Sequence, residues 1–287
     1  MYWDFVDDIR LLVHSGTAAP DGFFGEVALD GTPFDGTGRA TGVFRAPAVS
    51  GDDRFRAYLG AGDGAIGEVV RESRDGSGTT RIRVFGPAAV GFGPTDDALA
   101  FIAPDDLTSD QLPLPVGPLR ILDPGAAEPR TLLAGSNVAF FWSPTGEVIA
   151  ALQLNAPDDT VTDAVEIVAT GGSSVPAIGS RTVGPVGAAN GVTRPTAAGL
   201  GLRLSFVDAA DGSIRSERAI QVSDLFLNQV LPFFDQYALS HRFWSPDGSA
   251  IVLPVVGDGD ITRLLAIPAD GSAARLIATA EMGSWSP

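Results

Sequence analysis

The chain has 287 residues, 45% of them hydrophobic, no cysteine, and a formal net charge of −16 in which all 19 basic residues are arginine. That balance excludes disulfides and thiolate metal sites. It also disfavours nucleic acid and anionic membrane surfaces as partners, since both demand clustered positive charge. No apolar run approaches the roughly 18 residues of a membrane span, and acids follow Met1-Tyr2-Trp3 at once where a signal peptide would carry basic residues.

In chain order, residues 9–14, 25–29 and 32–34 read as short strands. A corner then begins to recur. Phe44-Arg45-Ala46-Pro47 precedes strands at 54–59, 66–71 and 80–85, the last two separated by an Asp75-Gly76 turn. Phe92-Gly93-Pro94 precedes an apolar strand at 98–101. Phe141-Trp142-Ser143-Pro144-Thr145-Gly146 precedes strands at 148–154 and 165–169, and Thr193-Arg194-Pro195 precedes 200–207. Phe243-Trp244-Ser245-Pro246-Asp247-Gly248 precedes strands at 251–256, 262–267 and 275–278, and the chain ends on Trp285-Ser286-Pro287. The aligned prolines 47, 94, 144, 195, 246 and 287 are spaced by 47, 50, 51, 51 and 41 residues.

A period near 50 with four short antiparallel strands per unit is the signature of a propeller blade. The fold expected is all-β: one six-bladed β-propeller over residues 1–287. Its ring closes when the strand at 282–285 joins the three N-terminal strands in a shared blade, which removes both exposed edges. The corner has a mechanical reading. The aromatic fills the gap between blades, proline presets φ, and glycine accepts the positive φ that ends the turn.

On the residues at 142–146, 244–248 and 285–287 the chain resembles the TolB-type propellers, whose blades carry a Trp-Ser-Pro-Asp-Gly repeat. The resemblance implies a six-bladed extracytoplasmic propeller that binds other proteins. The same repeat occurs in the non-catalytic propellers of prolyl-oligopeptidase-type enzymes, so it specifies fold more than function.

Catalytic raw material is sparse. Two histidines, His14 and His241, do not furnish a three-His zinc site, and no Gly-x-Ser-x-Gly is present. Gly62-Asp63-Gly64-Ala65-Ile66-Gly67 matches a dinucleotide fingerprint in letters, but a strand rather than a helix is expected next. Acids recur in loops, at Asp105, Asp106 and Asp110, at Asp158, Asp159 and Asp163, at Asp208 and Asp211, and at Asp258 and Asp260. On one propeller face they would form a rim suited to solubility, to a cationic partner or, as a weaker alternative, to Ca²⁺.

Residues 223–241 break the blade pattern. Ser223 or Asp224 can cap a short helix with Leu225, Val230, Phe233 and Phe234 as its apolar face. The segment is either a buttress or a recognition patch, and Asp235, Tyr237, Ser240, His241 and Arg242 are the candidate contact residues. The function expected is a non-enzymatic, monomeric scaffold binding a protein or peptide with a cationic surface and needing no cofactor. The alternatives are a hydrolase with a divalent ion in a central channel, or the propeller part of a larger protein.

Overall fold

The computed structural model describes residues 2–5, 10–15, 23–28, 30, 45–60, 67–106, 115–154, 167–168, 201–257 and 261–286. Its packing divides into two compact units, the first comprising 1–135 with 233–240 and the second 136–232 with 241–287. Among the described residues the sheets are antiparallel apart from one short parallel pairing.

In the first unit, β1 (Tyr2–Phe5), β2 (Arg10–Ser15) and β3 (Phe23–Ala28) form a meander in the order β1-β2-β3. The strand at β1 was not anticipated. The expected segment 32–34 lies outside the described residues. A second sheet has the order β4 (Ala48–Val49), β5 (Phe55–Gly60), β6 (Gly67–Ser73) and β7 (Thr79–Val84). In the third, β8 (Ala89–Phe92), β9 (Leu99–Ile102), β10 (Gly117–Leu122) and the first part of β11 (Arg130–Trp142) follow in chain order. Alternation sends Ala57, Leu59, Val69 and Val84 to one face of the second sheet, where they are buried with Val90, Leu99, Phe101 and Leu122 of the third. This cluster is the core of the unit.

In the second unit, the last part of β11 pairs with β12 (Val148–Leu154), followed by β14 (Leu202–Asp208) and β15 (Ile214–Ile220). Here the structure corrects the repeat. The sequence reading makes residues 200–207 part of a separate unit opened by Pro195. Instead, β14 pairs with β12 along its whole length, from Val148 opposite Asp208 to Leu154 opposite Leu202. Seven apolar-rich residues on each strand satisfy one another's backbone, so β14 is the third strand of the Trp142-Ser143-Pro144 sheet. Residues 193–195 lie outside the described set. The segment at 165–169 is also reassigned, because β13 (Ile167–Val168) pairs parallel with Ala274 and Arg275 of another sheet. That sheet has the order β13, β18 (Ala274–Ala278), β17 (Thr262–Pro268) and β16 (Ala250–Val256).

Residues 282–286 form no strand, and the β1-β2-β3 sheet gains no fourth strand among the described residues. The shared closing blade is therefore not observed. Trp285 N donates instead to Arg242 O at 2.8 Å.

Among the described residues the recurring corner is one hydrogen-bonded object in four places. The backbone N–H of Ser50, Gly93, Ser143 and Ser245 donates to the carbonyl five residues on, at Phe55, Ala98, Val148 and Ala250, over 2.8–2.9 Å. This equivalence moves the first corner from Pro47 to Ser50-Gly51-Asp52-Asp53. Gly51 stands where proline stands elsewhere, and a Cβ there would meet Pro94 O at 2.9 Å. Asp53 stands where Gly146 and Gly248 stand, and its φ of 61° matches their 74° and 70°. The serine does more than fill space. Ser245 Oγ donates to Asp247 Oδ1 at 2.6 Å and accepts from Ala250 N at 3.0 Å. Ser50 repeats both contacts, with Asp52 Oδ1 and with Phe55 N.

Candidate functional site

The segment 223–241 lies between two isolated antiparallel bridges to β16. Val222 bridges Val255 and Trp244 bridges Ile251, so the chain between the bridges advances 22 residues while β16 advances four. Eighteen residues are looped out between them. On either side of the loop, Ser223 N donates to Pro254 O at 3.0 Å and Val252 N donates to Phe243 O at 2.8 Å.

Ser223 starts the loop as expected, its Oγ accepting from Phe226 N at 3.2 Å. The chain then makes a π-helical turn (Phe226–Val230), a 3-10 turn (Leu231–Phe233) and α1 (Phe234–Ser240). In the second unit Phe226, Leu227, Val230 and Leu231 are buried, and Phe226 meets the edge of Phe243 at 6.1 Å. Trp244 is buried against Phe206 at 5.7 Å, and its Nε1 donates to Phe141 O at 2.9 Å. The corner tryptophan thus packs on the neighbouring sheet, as its size suggests.

In the first unit α1 is held by a buried ion pair. Asp235 Oδ2 accepts from Ala46 N at 2.8 Å, and Oδ1 lies 3.4 Å from Arg45 Nη1. The two side chains are 0% and 3% exposed. Burial pushes the Asp235 carboxyl above its ordinary value against the opposing pull of Arg45, and burial likewise lowers Arg45. Beside it Phe234 is buried, whereas Phe233 and Leu239 are 42% and 44% exposed.

The five candidate residues therefore fall into different environments. Asp235 is turned inward and engaged. Tyr237 is half-buried on α1, and exposed Ser240 donates to the backbone of its own helix, to Gln236 O at 3.3 Å. His241 and Arg242 belong to the second unit, where the His241 ring stacks on Phe243 at 6.2 Å and Arg242 is exposed. Sequence reasoning missed three features: Arg45 as the partner of Asp235, 190 residues away; the outward aim of Phe233 and Leu239; and the bridge that Val222 makes to Val255. The last was legible, because Val222 continues the alternation before the loop.

A second charged cluster sits at the corners of the first unit. The Arg71 guanidinium lies 4.1 Å from the Phe55 ring centre and 3.9 Å from Asp97, which also accepts from Arg54 at 2.7 Å. Burial and the neighbouring Asp52 hold the Asp97 carboxyl up despite the two arginines. Its charges are paired between adjacent corners, which is a structural arrangement. Among the described residues, no three or more His, Cys, Asp or Glu side chains converge as metal ligands would.

The recurring acids do not fall in the same loop of each sheet. Asp105 and Asp106 follow β9, between the second and third strands of their sheet, and Asp105 is ion-paired with Arg120. Asp208 and Asp211 lie in the turn from the third strand to the fourth, where Asp208 accepts from Arg215 and Asp211 from Ser213 N. Residues 110, 158, 159, 163, 258 and 260, and most of the 62–67 glycine motif, lie outside the described set. β6 begins at Gly67, so a strand follows that motif as expected.

No family model matches the chain, and no curated protein matches it significantly. Among solved structures it is similar to the β-propeller domain of Cps50 (Swd1) from Myceliophteria thermophila, with TM-score 0.51 and 11% identity over 96% of this chain and 70% of that one. It is also similar to hydrazine synthase from Kuenenia stuttgartiensis, with TM-score 0.49 and 14% identity over 91% of this chain. The TolB structure from Acinetobacter baumannii gives TM-score 0.45 and 15% identity over 93%. The chain spans 60% of that hydrazine synthase chain and 53% of that TolB chain. At these identities the likeness concerns fold. With the antiparallel sheets and the Swd1 match, the fold is of the β-propeller class.

Proposed function

We propose that this chain is a non-enzymatic scaffold that presents residues 233–240 to a protein or peptide partner. The observation that carries the reading is the division of labour within one short loop. Phe234 and Asp235, at 1% and 5% exposure, anchor α1, while Phe233 and Leu239 are held 42% and 44% open to solvent. A loop serving only as a buttress would bury its large apolar side chains. Rigid presentation of aromatic and aliphatic groups lowers the entropy lost on binding, and such groups are preferred interface anchors. Tyr237 and Ser240 extend this surface, whereas Asp235 positions it from beneath. The reading takes residues 1–287 as one monomeric propeller domain, and it follows the family resemblance in placing the chain outside the cytoplasm.

The test is quantitative capture from native extract with the immobilised full chain, comparing wild type with Phe233→Ser/Leu239→Ser. Both side chains are exposed, so the urea midpoint should hold within experimental error while specific capture falls at least about tenfold. Unchanged capture by the folded variant would overturn the reading.

A further inference from the structure

The outer edge of β18 carries a strand that its own meander does not supply. β12 and β14 pair antiparallel along seven residues, yet residues 155–201, 47 in all, lie between them. The equivalent strand pairs behind the Ser50 and Ser245 corners are joined by residues 61–66 and 257–261, six and five residues. A hairpin needs no more than that, so the excess chain is not there to close the turn. Between β12 and β14 the strand found among the described residues is β13, and it pairs with another sheet of the same unit. Ile167 lies opposite Ala274 and Val168 opposite Arg275, in the one parallel pairing among the described residues.

That edge differs from its counterparts. β7 and β15 end their sheets carrying Arg81 and Arg83, and Arg215, Glu217 and Arg218, and such charges discourage an added strand. β18 has Arg275 alone, followed by Leu276, Ile277 and Ala278. β13 covers two positions and stops, so Leu276 has no partner strand on that side among the described residues. Ile277 bulges out of the ladder, because Leu265 lies opposite Leu276 while Leu264 lies opposite Ala278. At 53% it is the most exposed large apolar side chain among the described residues. The edge can therefore hold more than β13 gives it, and two residues of pairing are a weak hold.

We infer that the outer edge of β18 is a strand-accepting site, that β13 occupies it in cis as a stand-in, and that its external ligand is an extended segment of a partner protein, rich in Ile and Val, adding parallel to β18 in place of β13. Backbone hydrogen bonds supply the affinity of such additions and alternate side chains the selectivity. Because β13 belongs to the same chain, its effective concentration keeps the edge closed until a competitor exceeds it or β13 is withdrawn. The site lies on the second unit and stands independently of the α1 reading.

The probe is a fluorescein-labelled peptide with the sequence of residues 163–172, titrated against the full chain by anisotropy, beside a counterpart carrying Ile167→Pro/Val168→Pro. In the full chain the same two substitutions withdraw β13, since proline cannot donate to a ladder. That released variant should bind the unsubstituted peptide at least about tenfold tighter than wild type does. Backbone amides of residues 274–276 should exchange faster in it and slow again when the peptide is added. The chain has no cysteine of its own, so Val168→Cys/Arg275→Cys joins one pair of register partners. Oxidation should pin β13 and weaken the peptide at least about tenfold relative to the reduced form. Equal binding by wild type and the released variant, unchanged exchange at 274–276, or undiminished binding by the oxidised pair overturns the inference. So does binding of the proline peptide, which cannot complete a ladder. Should the released variant unfold, the cysteine pair decides alone. Dimers of the released variant that the peptide fails to dissociate in sedimentation would overturn it in favour of a second copy of the chain.

Discussion

Replacing Asp235 by alanine separates two accounts of the helical loop. Were Asp235 a surface contact, the substitution would cost under about 0.5 kcal/mol. The structure places its carboxylate at 0% exposure against Arg45 at 3%. Removing one member of a buried pair leaves the other charge dehydrated and uncompensated, which costs about 3–5 kcal/mol. The Nη1–Oδ1 separation of 3.4 Å is long for an ion pair, which places this one near 3 kcal/mol, with the bond from Ala46 N included. Urea unfolding followed by tryptophan fluorescence and far-ultraviolet dichroism measures the loss, and coincident midpoints validate the two-state treatment. Arg45→Met/Asp235→Leu removes both charges together and should recover most of the stability. A cost below about 1 kcal/mol for Asp235→Ala, or a double variant no better than the single one, would refute the argument.

At the first corner, Asp53→Gly should leave stability within a few tenths of a kcal/mol, whereas Asp53→Ala should cost about 1–2 kcal/mol. The φ of 61° is natural for glycine and strained for alanine, and calorimetric midpoints distinguish the pair. Acid titration of stability should show two opposite contributions. Asp52, Asp75 and Asp247 are each held down to about 2, chiefly by hydrogen bonds from Arg54, Ser73 and Ser245 respectively. Their contribution is therefore present above the ordinary carboxylate value and disappears as pH falls toward 2. Asp235 is held up, so its native form binds more protons than the unfolded chain, and its contribution weakens as pH rises from the ordinary value through the raised one. Asp247→Asn should flatten the first limb and Asp235→Asn the second, both read from urea midpoints between about pH 2 and 6.

Local chemistry was legible wherever a residue answers to its own neighbours in the chain. Serine, proline and glycine at 143–146 and 245–248 specify a corner because each acts within five residues of itself. Strands such as 148–154 follow from apolar runs bounded by turn residues. The same locality explains the first corner. Pro47 matches the corner by letter, yet Asp53 adopts the glycine conformation and Gly51 avoids the Pro94 carbonyl, and neither fact is visible without the adjacent sheet.

Pairing partners were decided only by the tertiary structure. The sequence of residues 202–208 says strand, but whether it opens a new sheet or completes the one begun by β12 depends on contact between segments about 50 residues apart. Asp235 shows the same limit most sharply. Its letter and its helical position suited a surface contact, and Arg45 with the Ala46 amide, 190 and 189 residues away, made it a buried anchor. A charge is identified by its residue type, but its solvation is set by whatever the fold brings against it.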